Sequence, residues 1–393
     1  MREADFLGLI DEIRAADVAI ANLETVIHEF KGHAQADSGG TYMASPPQIA
    51  AELKWAGFDM LAHANNHAFD YGASGMLETV EHVEREGLII AGSGRDLQRA
   101  RAPQYVRCDG VRVALVAMAA DFVSYGKASC SRPDLHGRPG INPLRVVSER
   151  SMTLRPLKAA KRAWEYCRRV LRAPAWRAAT DLEMAVSWGQ EVAPTDAKAN
   201  LEFIAAAASN ADIVVVSIHA HRDGKWLGRF AHQAIERGAS VIVVTGPHHV
   251  RGVELHRGRP IFYAMGDFVY EPEYVARLPA EAYERVGLAA DATIEELRGA
   301  SRPGPLARLR EDRRVFEGFV SLISFAGGNP ARIQLIPIDL QFDGGSERRG
   351  RPKLACSELG EQIIATVAAR SKTFGTRIRY DRLTNRGEVV LAD

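Results

Sequence analysis

Residues 213–221 read Ile-Val-Val-Val-Ser-Ile-His-Ala-His, a mostly apolar run that leads into two histidines. A short run this rich in valine and isoleucine predicts a strand, and the fully apolar run at residues 113–117 predicts a strand that is buried on both faces of a sheet. Three other segments carry Asn, Glu or His directly after strand-like runs: residues 21–24 (Ala-Asn-Leu-Glu), 64–67 (Ala-Asn-Asn-His) and 245–250 (Thr-Gly-Pro-His-His-Val). Together these segments predict a set of ligands for a divalent metal ion at one edge of a sheet.

Helical and strand-like patterns alternate over the first 270 residues, which predicts an α/β layered fold. The predicted helices span residues 6–14, 47–56, 75–86, 195–209, 230–237 and 357–370, with Thr195 as the cap of the fourth. The predicted strands span residues 18–21, 60–62, 88–91, 113–117, 213–218, 241–244, 261–265, 319–325 and 331–339. In such folds the functional groups lie in loops beyond the strand ends.

The domain organisation is predicted to be one domain over residues 1–393, with insertions at about residues 121–194 and 271–315. Either insertion can form a lid or a substrate wall, or can decorate the surface. The basic stretch at residues 155–177 has apolar residues at helical spacing, and we interpret it as an amphipathic helix with a solvated face.

Composition argues against several classes of partner. The chain is 46% hydrophobic with a formal net charge of +1, which gives no support for binding nucleic acid. Its 4 cysteines are scattered, so we expect reduced thiols and no disulfide framework. No apolar run reaches the roughly 20 residues of a membrane helix, and the first residues lack a signal-peptide layout. We therefore expect a cytoplasmic protein with no membrane partner.

In these segments the chain resembles the CapA family, the poly-γ-glutamate capsule-synthesis proteins within the calcineurin-like metallophosphatase superfamily. The resemblance runs from Ala16 to Tyr270. Besides the four segments above, it includes Asn-Asn-His-Ala-Phe-Asp-Tyr-Gly at 65–72, Gly-Ser-Gly at 92–94, Arg-Gly-Val-Glu at 251–254 and Gly-Arg-Pro-Ile-Phe-Tyr at 258–263. The resemblance implies an α/β fold in the form of a four-layer α/β/β/α sandwich, with a mono- or binuclear metal centre at the sheet edge.

By position, the resemblance implies that the metal ligands are Glu24, Asn66, His219 and His248. His67 would be the acid/base histidine, a role that imidazole suits because its pKa lies near neutral pH. The cofactor would be one or two divalent ions of Mn, Zn, Fe or Mg. Such an ion would polarise a phosphoryl or carbonyl oxygen, or lower the pKa of a bound water to near 7.

The chain departs from the family pattern at three places. Members usually begin with a strand that ends in Gly-Asp, whose aspartate binds metal. Here only about 20 residues precede Asn-Leu-Glu, and they contain no strand-like run that ends in Gly-Asp. Either translation starts upstream of Met1 or the protein lacks this first strand and its ligand. Thr245 stands where relatives commonly have a liganding histidine, and Asp267 stands where asparagine is usual. A weakened or single-metal centre is therefore an open alternative.

The remaining candidate residues are those that follow the same strand ends or carry charge in the Gly-Arg-Pro-Gly segment. His221 and Asp267 are candidate catalytic groups beside His67. The candidates for contact with the metal ligands or the substrate are Asn65, Thr245, His249, Asp223, Arg138 and Arg145.

These residues support three hypotheses about function. The first is a metal-dependent enzyme that hydrolyses a phosphoester or a peptide or γ-glutamyl-type bond, associated by resemblance with poly-γ-glutamate capsule biosynthesis. The second is an epimerase of the same family, in which His67, His221 or His249 would exchange a Cα proton. The third is a non-catalytic, capsule-associated protein with a degenerate metal site. For an enzyme, the partner is a small-molecule or peptide substrate; the sequence does not predict the oligomeric state.

Overall fold

A computed structural model describes residues 4–38, 40–152, 186–222, 224–271, 277–289, 291–300, 309–345 and 347–391. The helices are α1 (Ala4–Arg14), α2 (Gln48–Ala56), α3 (Gly72–Arg85), α4 (Leu97–Arg101), α5 (Pro194–Ala208), α6 (Lys225–Glu236), α7 (Ala280–Glu284), α8 (Ile294–Ala300) and α9 (Ser357–Ser371). The basic helix predicted at residues 155–177 lies outside the described residues.

The strands alternate with the helices along much of the chain. They are β1 (Ile20–Asn22), β2 (Val26–Ile27), β3 (Ala44–Ser45), β4 (Met60–Ala62), β5 (Ile89–Ala91), β6 (Ser93–Gly94), β7 (Gln104–Cys108), β8 (Val111–Ala119), β9 (Gly140–Ile141) and β10 (Val146–Met152). The second half has β11 (Val186–Val192), β12 (Ile213–His219), β13 (Val241–Thr245), β14 (Val253–His256), β15 (Arg259–Phe262), β16 (Glu317–Ala326), β17 (Asn329–Asp339), β18 (Lys353–Leu354), β19 (Ile378–Asp381) and β20 (Arg386–Val389).

Strand β12 lies inside a six-stranded sheet of order β14-β15-β13-β12-β8-β7. It pairs in parallel with β8 on one side and β13 on the other. Successive side chains of a strand point to opposite faces, and here both faces are covered. Val214 and Val216 pack against the helices α5 and α6, together with Phe230 of α6, while Val215 faces a second layer of strands. Burial on both faces explains why the run is almost uninterrupted in its apolar character.

Two smaller sheets form that second layer. In the parallel sheet β1-β4-β5, Met60 and Ala62 pack against Leu115 and Ala117 of β8. Residue Gly92 lies at this contact with φ +94°, and a Cβ atom there would come within 2.7 Å of the Ala64 Cβ and 2.8 Å of the Ala117 Cβ. Only glycine allows the two sheets to approach so closely at this point.

The C-terminal sheet has the order β16-β17-β20-β19, with β18 paired to β17. It packs on the same large sheet, and the rings of Phe262 and Phe319 lie 6.3 Å apart across this contact. Helices α1, α2 and α3 cover the outer face of β4 and β5, and α9 packs on the C-terminal sheet. The layers are therefore helix, sheet, sheet and helix, which confirms the predicted α/β/β/α fold.

The N-terminal helix also joins the C-terminal part of the chain. Leu9 of α1 is buried against Phe316 and Ile338, in the cluster that closes one end of β17. Glu12 of the same helix forms an ion pair with Arg386 of β20. Elements at opposite ends of the described chain thus share one core.

Some local predictions differ from the structure. Thr195 is not the cap of α5, because the helix already begins at Pro194 and has Ala193 at its N-cap. The fixed backbone angle of proline favours the first turn of a helix, so the start moves one residue earlier. The first described strand, β1, follows a helix, and the strands that were not predicted from sequence are β2, β3, β6, β7, β9, β10, β11, β14, β18, β19 and β20. Among the described helices, none combines the length and the apolar character that a bilayer crossing requires.

Candidate metal centre

The strand ends bring Glu24, His219 and His221 together. Glu24 Oε1 lies 3.7 Å from His219 Nε2, which in turn lies 3.3 Å from His221 Nε2. One potential ligand atom from each of the three residues lies within 4.8 Å of the others. One carboxylate and two imidazoles form a donor set that divalent transition metals favour, so the residues present fit such an ion.

His219 is wholly buried and is oriented by Thr245. Its Nδ1 atom lies 2.9 Å from Thr245 Oγ1, which leaves Nε2 facing Glu24 and His221. Burial lowers the pKa of His219 well below its usual range, and the charges of neighbouring histidines lower it further. The ring is therefore neutral, the form in which imidazole binds metal. Thr245 holds this histidine in place through a hydrogen bond, an arrangement that is common for histidines that bind metal.

Glu24 is a carboxylate in an environment that disfavours its charge. Burial raises the pKa of Glu24 to about 7, against the opposing effects of His67 and His248. Its Oε2 atom accepts a hydrogen bond of 3.0 Å from Asn22 Nδ2. A cation beside this carboxylate would offset the unfavourable burial of its charge.

The loop after β12 is held by Asp121, a residue that the sequence prediction missed. Asp121 Oδ2 accepts the backbone N–H groups of His221 at 2.7 Å and Arg222 at 3.2 Å. These bonds fix the backbone from which His221 reaches toward Glu24. Asp121 follows the end of β8 just as Glu24 follows β1, so the rule used for the other residues would also have found it.

His67 forms a buried pair with Asp70. The His67 Nδ1 atom lies 2.7 Å from Asp70 Oδ2, and Asp70 also accepts the backbone N–H of Met43 at 2.8 Å. Burial opposes protonation of His67, but the hydrogen bond and the charge of Asp70 outweigh it and raise the pKa. The hydrogen bond to Asp70 is made by Nδ1, so Nε2 is the ring nitrogen of His67 that does not face Asp70.

The two asparagines before His67 lie in a buried turn. Asn65 Nδ2 donates to the carbonyl of Leu23 at 2.7 Å, and Asn65 Oδ1 accepts the backbone N–H of His67 at 3.1 Å. Asn65 therefore ties the β4 turn to the segment that carries Glu24. Asn66, the ligand implied by the resemblance, is also buried in this turn; its binding of metal stays a prediction.

His248 lies beside the Glu24 cluster and pairs with Asp267. The His248 Nδ1 atom is 3.0 Å from Asp267 Oδ2, and the His248 ring centre is 5.5 Å from that of His221. Although burial lowers the pKa of His248, the charge and hydrogen bond of Asp267 and the charge of Glu24 raise it to about 9. Without a metal, His248 is therefore a cation at neutral pH.

The other candidates are not part of this group of converging ligand atoms. His249 borders a cavity of about 570 Å³ that also has Lys225, Arg251 and Arg370 in its lining. The side chain of Arg145 donates two hydrogen bonds to Asp196, of 2.7 and 2.9 Å. Exposed Arg138 donates from Nε to the carbonyl of Lys127 at 3.1 Å. Asp223 lies outside the described residues.

Comparison with known proteins agrees with this architecture. Residues 4–272 match the family described as bacterial capsule synthesis protein PGA_cap. The protein belongs to this family. The family resemblance seen in the sequence motifs is thus confirmed.

The similarity to individual relatives extends over most of the chain. An uncharacterized protein, y4sH, of Sinorhizobium fredii is 31% identical over 96% of this chain and 87% of its own length. A probable polyglutamine synthesis accessory protein of Mycobacterium tuberculosis is 27% identical over 97% of this chain and 79% of its own. The PGA biosynthesis protein CapA of Bacillus subtilis is 25% identical over 66% of this chain and 54% of its own.

Proposed function

We propose that this PGA_cap family member is a metal-dependent hydrolase that acts on an anionic substrate of poly-γ-glutamate or capsule metabolism. The observation that carries the proposal is the convergence of the Glu24 carboxylate with the rings of His219 and His221. A divalent ion held by these residues supplies Lewis acidity toward a phosphoryl or carbonyl oxygen. The ion would be Mn, Zn, Fe or Mg, and the experiment below tests Mn²⁺ and Zn²⁺.

The proton chemistry is assigned to His67. Because Nδ1 of His67 faces Asp70, the proton that reaches the substrate is carried on Nε2. The Asp70 carboxylate raises the pKa of His67, so that the imidazolium is available to protonate a leaving group. This arrangement favours a general-acid role.

The charges around the group support an anionic substrate. His248 is a cation at neutral pH before metal binds. The cavity beside His249 has Lys225, Arg251 and Arg370 in its lining, and none of its described lining residues carries a carboxylate. A positively charged pocket attracts anionic ligands, and arginine in particular binds phosphate and carboxylate groups. A phosphoester and a γ-glutamyl-type chain both carry such groups.

The test measures metal content and hydrolysis on the same protein. Wild type, His219→Ala, His248→Ala and a control at exposed His136 (His136→Ala) are incubated with Mn²⁺ or Zn²⁺, desalted and analysed by plasma mass spectrometry. We expect His219→Ala to lose about one ion per chain and its activity on phosphoester or γ-glutamyl oligomer substrates, and the control to lose neither. A wild-type protein that binds no metal, or equal metal in wild type and His219→Ala, would overturn the proposal.

Epimerisation is a second candidate, favoured by one observation. Two histidine–aspartate pairs, His67 with Asp70 and His248 with Asp267, both interact electrostatically with Glu24. An epimerase needs two proton-transfer groups at one carbon. Incubation of a γ-glutamyl peptide with the enzyme in D₂O separates the two reactions: deuterium at Cα without bond cleavage supports epimerisation, and cleavage without Cα deuterium supports hydrolysis.

A further inference from the structure

A second group of metal-binding side chains lies between helix α6 and strand β14. It consists of His232 on the helix and of Glu254 and His256 on the strand. One potential ligand atom from each lies within 4.8 Å of the others. The group shares no residue with the Glu24 cluster, so it requires its own explanation.

The group lies at the opposite end of the parallel strands of the large sheet from the Glu24 cluster. His256 pairs with Arg259, which begins β15, and β15 runs parallel to β13. The Glu24 cluster lies beyond the ends of the parallel strands, whereas His256 is level with their beginnings. Strand β14 is also three positions from β12 in the sheet order, which at about 4.8 Å per strand is roughly 14 Å.

The spacing of the residues on each element suits chelation. His232 and Glu236 are four residues apart on α6 and therefore lie on the same face of the helix. Glu254 and His256 are two residues apart on β14 and point to the same face of the strand. Glu236 Oε1 lies 4.0 Å from His256 Nε2, so the helix and the strand each present one carboxylate and one imidazole to the same space.

The hydrogen bonds of the group fix Glu254 but do not include the Nε2 atom of His256. Glu254 Oε1 lies 2.7 Å from His232 Nε2, and Glu254 Oε2 accepts the hydroxyl of Tyr263 at 2.7 Å. His256 Nε2 is buried and has no hydrogen-bond partner among the described residues. A buried polar atom without a partner destabilises the fold, and a bound cation would remove that penalty.

The two rings do not yet point at a common position. His232 and His256 stack with centroids 3.9 Å apart and an angle of 6° between their planes. Rotation of one ring about its terminal side-chain torsion, which has broad minima, would direct both nitrogens at one ion. Glu236 also pairs with Arg257 at 3.1 Å, but that arginine side chain is 66% exposed, so separating the pair is inexpensive. Burial and the charge of His232 lower the pKa of His256, which keeps its ring neutral.

We propose that His232, Glu236, Glu254 and His256 form a second divalent metal site, of the two-histidine, two-carboxylate kind that binds Zn²⁺. Four ligands of these types match the usual coordination number of zinc. The ion would cross-link the end of α6 to the outer strand β14. Because α6 begins just after the loop that carries His221, the cross-link would stabilise the helix that supports the proposed catalytic centre.

The test titrates metal-free full-length protein with Zn²⁺ by calorimetry in a background that lacks the first site. The background is Glu24→Gln with His219→Ala, and His256→Ala or the control His136→Ala is added to it. We expect the background and the control to bind about one zinc ion and to gain thermal stability, because ligands of the folded state raise its melting temperature. Addition of His256→Ala is expected to weaken the binding at least 100-fold and to remove the gain.

Two results would overturn the second site. The first is a background protein that binds no zinc at this stoichiometry, and the second is zinc binding that His256→Ala leaves unchanged. Circular dichroism of each metal-free variant checks that the proteins are folded, and His232→Asn provides a second variant if His256→Ala is not. The readout is metal binding alone, so the result stands whether or not hydrolysis is found.

Discussion

His67 depends on one buried neighbour, Asp70, for its proposed acid role. Asp70→Asn keeps the side-chain shape but removes the charge that raises the pKa of His67. We expect kcat to fall by about 10²–10³-fold, because the imidazolium is no longer favoured and the general-acid contribution is lost. Metal content is expected to stay at the wild-type level, and Asp134→Asn, at an exposed carboxylate, serves as the control. Full activity in Asp70→Asn would rule out the role given to His67.

The pair of His248 with Asp267 yields a prediction that does not depend on activity. In metal-free protein the pKa of His248 is about 9, because the charges of Asp267 and Glu24 outweigh burial. With Asp267→Asn only burial and the weaker effect of Glu24 remain, so we expect the pKa to fall toward or below the ordinary value of 6.5. Nuclear magnetic resonance titration of the imidazole protons measures it. An unchanged titration would show that Asp267 does not set the charge of His248.

Glu24 makes stability depend on pH. Its pKa in the folded protein, about 7, is above the ordinary value of 4.5. The folded state therefore holds a proton that the unfolded chain releases, and this stabilisation is complete below pH 4.5 and is lost as the pH rises through about 7. We expect metal-free wild type to lose about 3 kcal/mol from this group across that range, and Glu24→Gln to lack the loss. Urea unfolding at several pH values measures the difference between the two proteins, and equal pH slopes would contradict the prediction.

Added Mn²⁺ or Zn²⁺ should stabilise wild type most at high pH, where the carboxylate of Glu24 is charged.

At the scale of the elements, the contact between the two sheets depends on Gly92. Gly92→Ala would place a methyl group against Ala64 and Ala117 and would force a side chain onto a residue with φ +94°. We expect a loss of about 3 kcal/mol in the free energy of unfolding, from overpacking and backbone strain together. Gly87→Ala is a matched control, because Gly87 has φ +73° and a Cβ atom there would meet no described atom within 4 Å. Urea denaturation is expected to show only about 1 kcal/mol for this control; equal losses would mean that the sheets tolerate the methyl group.

The elements also show what sequence could and could not predict. Strands β8, β12 and β13 were predictable because burial on both faces requires continuous apolar residues, and β12 ends at His219, which lies near Glu24. Strands β19 and β20 are short and polar on one side, so their pattern is weak. The pairing of Arg145 with Asp196 and of His219 with Thr245 joins residues 51 and 26 positions apart. Such contacts depend on the packing of distant segments, which a single sequence does not reveal.

At the scale of the whole molecule, the four layers give the proposed catalytic centre contributions from both sheets. Glu24 and His67 follow strands of the smaller parallel sheet, and His219 and His248 follow strands of the large one. A change in the packing between the sheets would therefore alter the distance between ligands as well as stability. This is a reason to measure metal affinity alongside unfolding in Gly92→Ala.

The packing of α1 on the C-terminal core has a consequence for synthesis on the ribosome. Leu9 emerges about 330 residues before Ile338, one of the residues that bury it. At roughly 5–20 residues per second, the helix waits roughly 15–65 s for this partner. During that interval the side of α1 that carries Leu9 is open to chaperones and to other nascent chains, whereas Ile10 and Ile13 have partners that are made early. Helix α1 is therefore made well before the last residues that bury Leu9, and the core that it shares with β17 cannot form in the order in which the chain is translated.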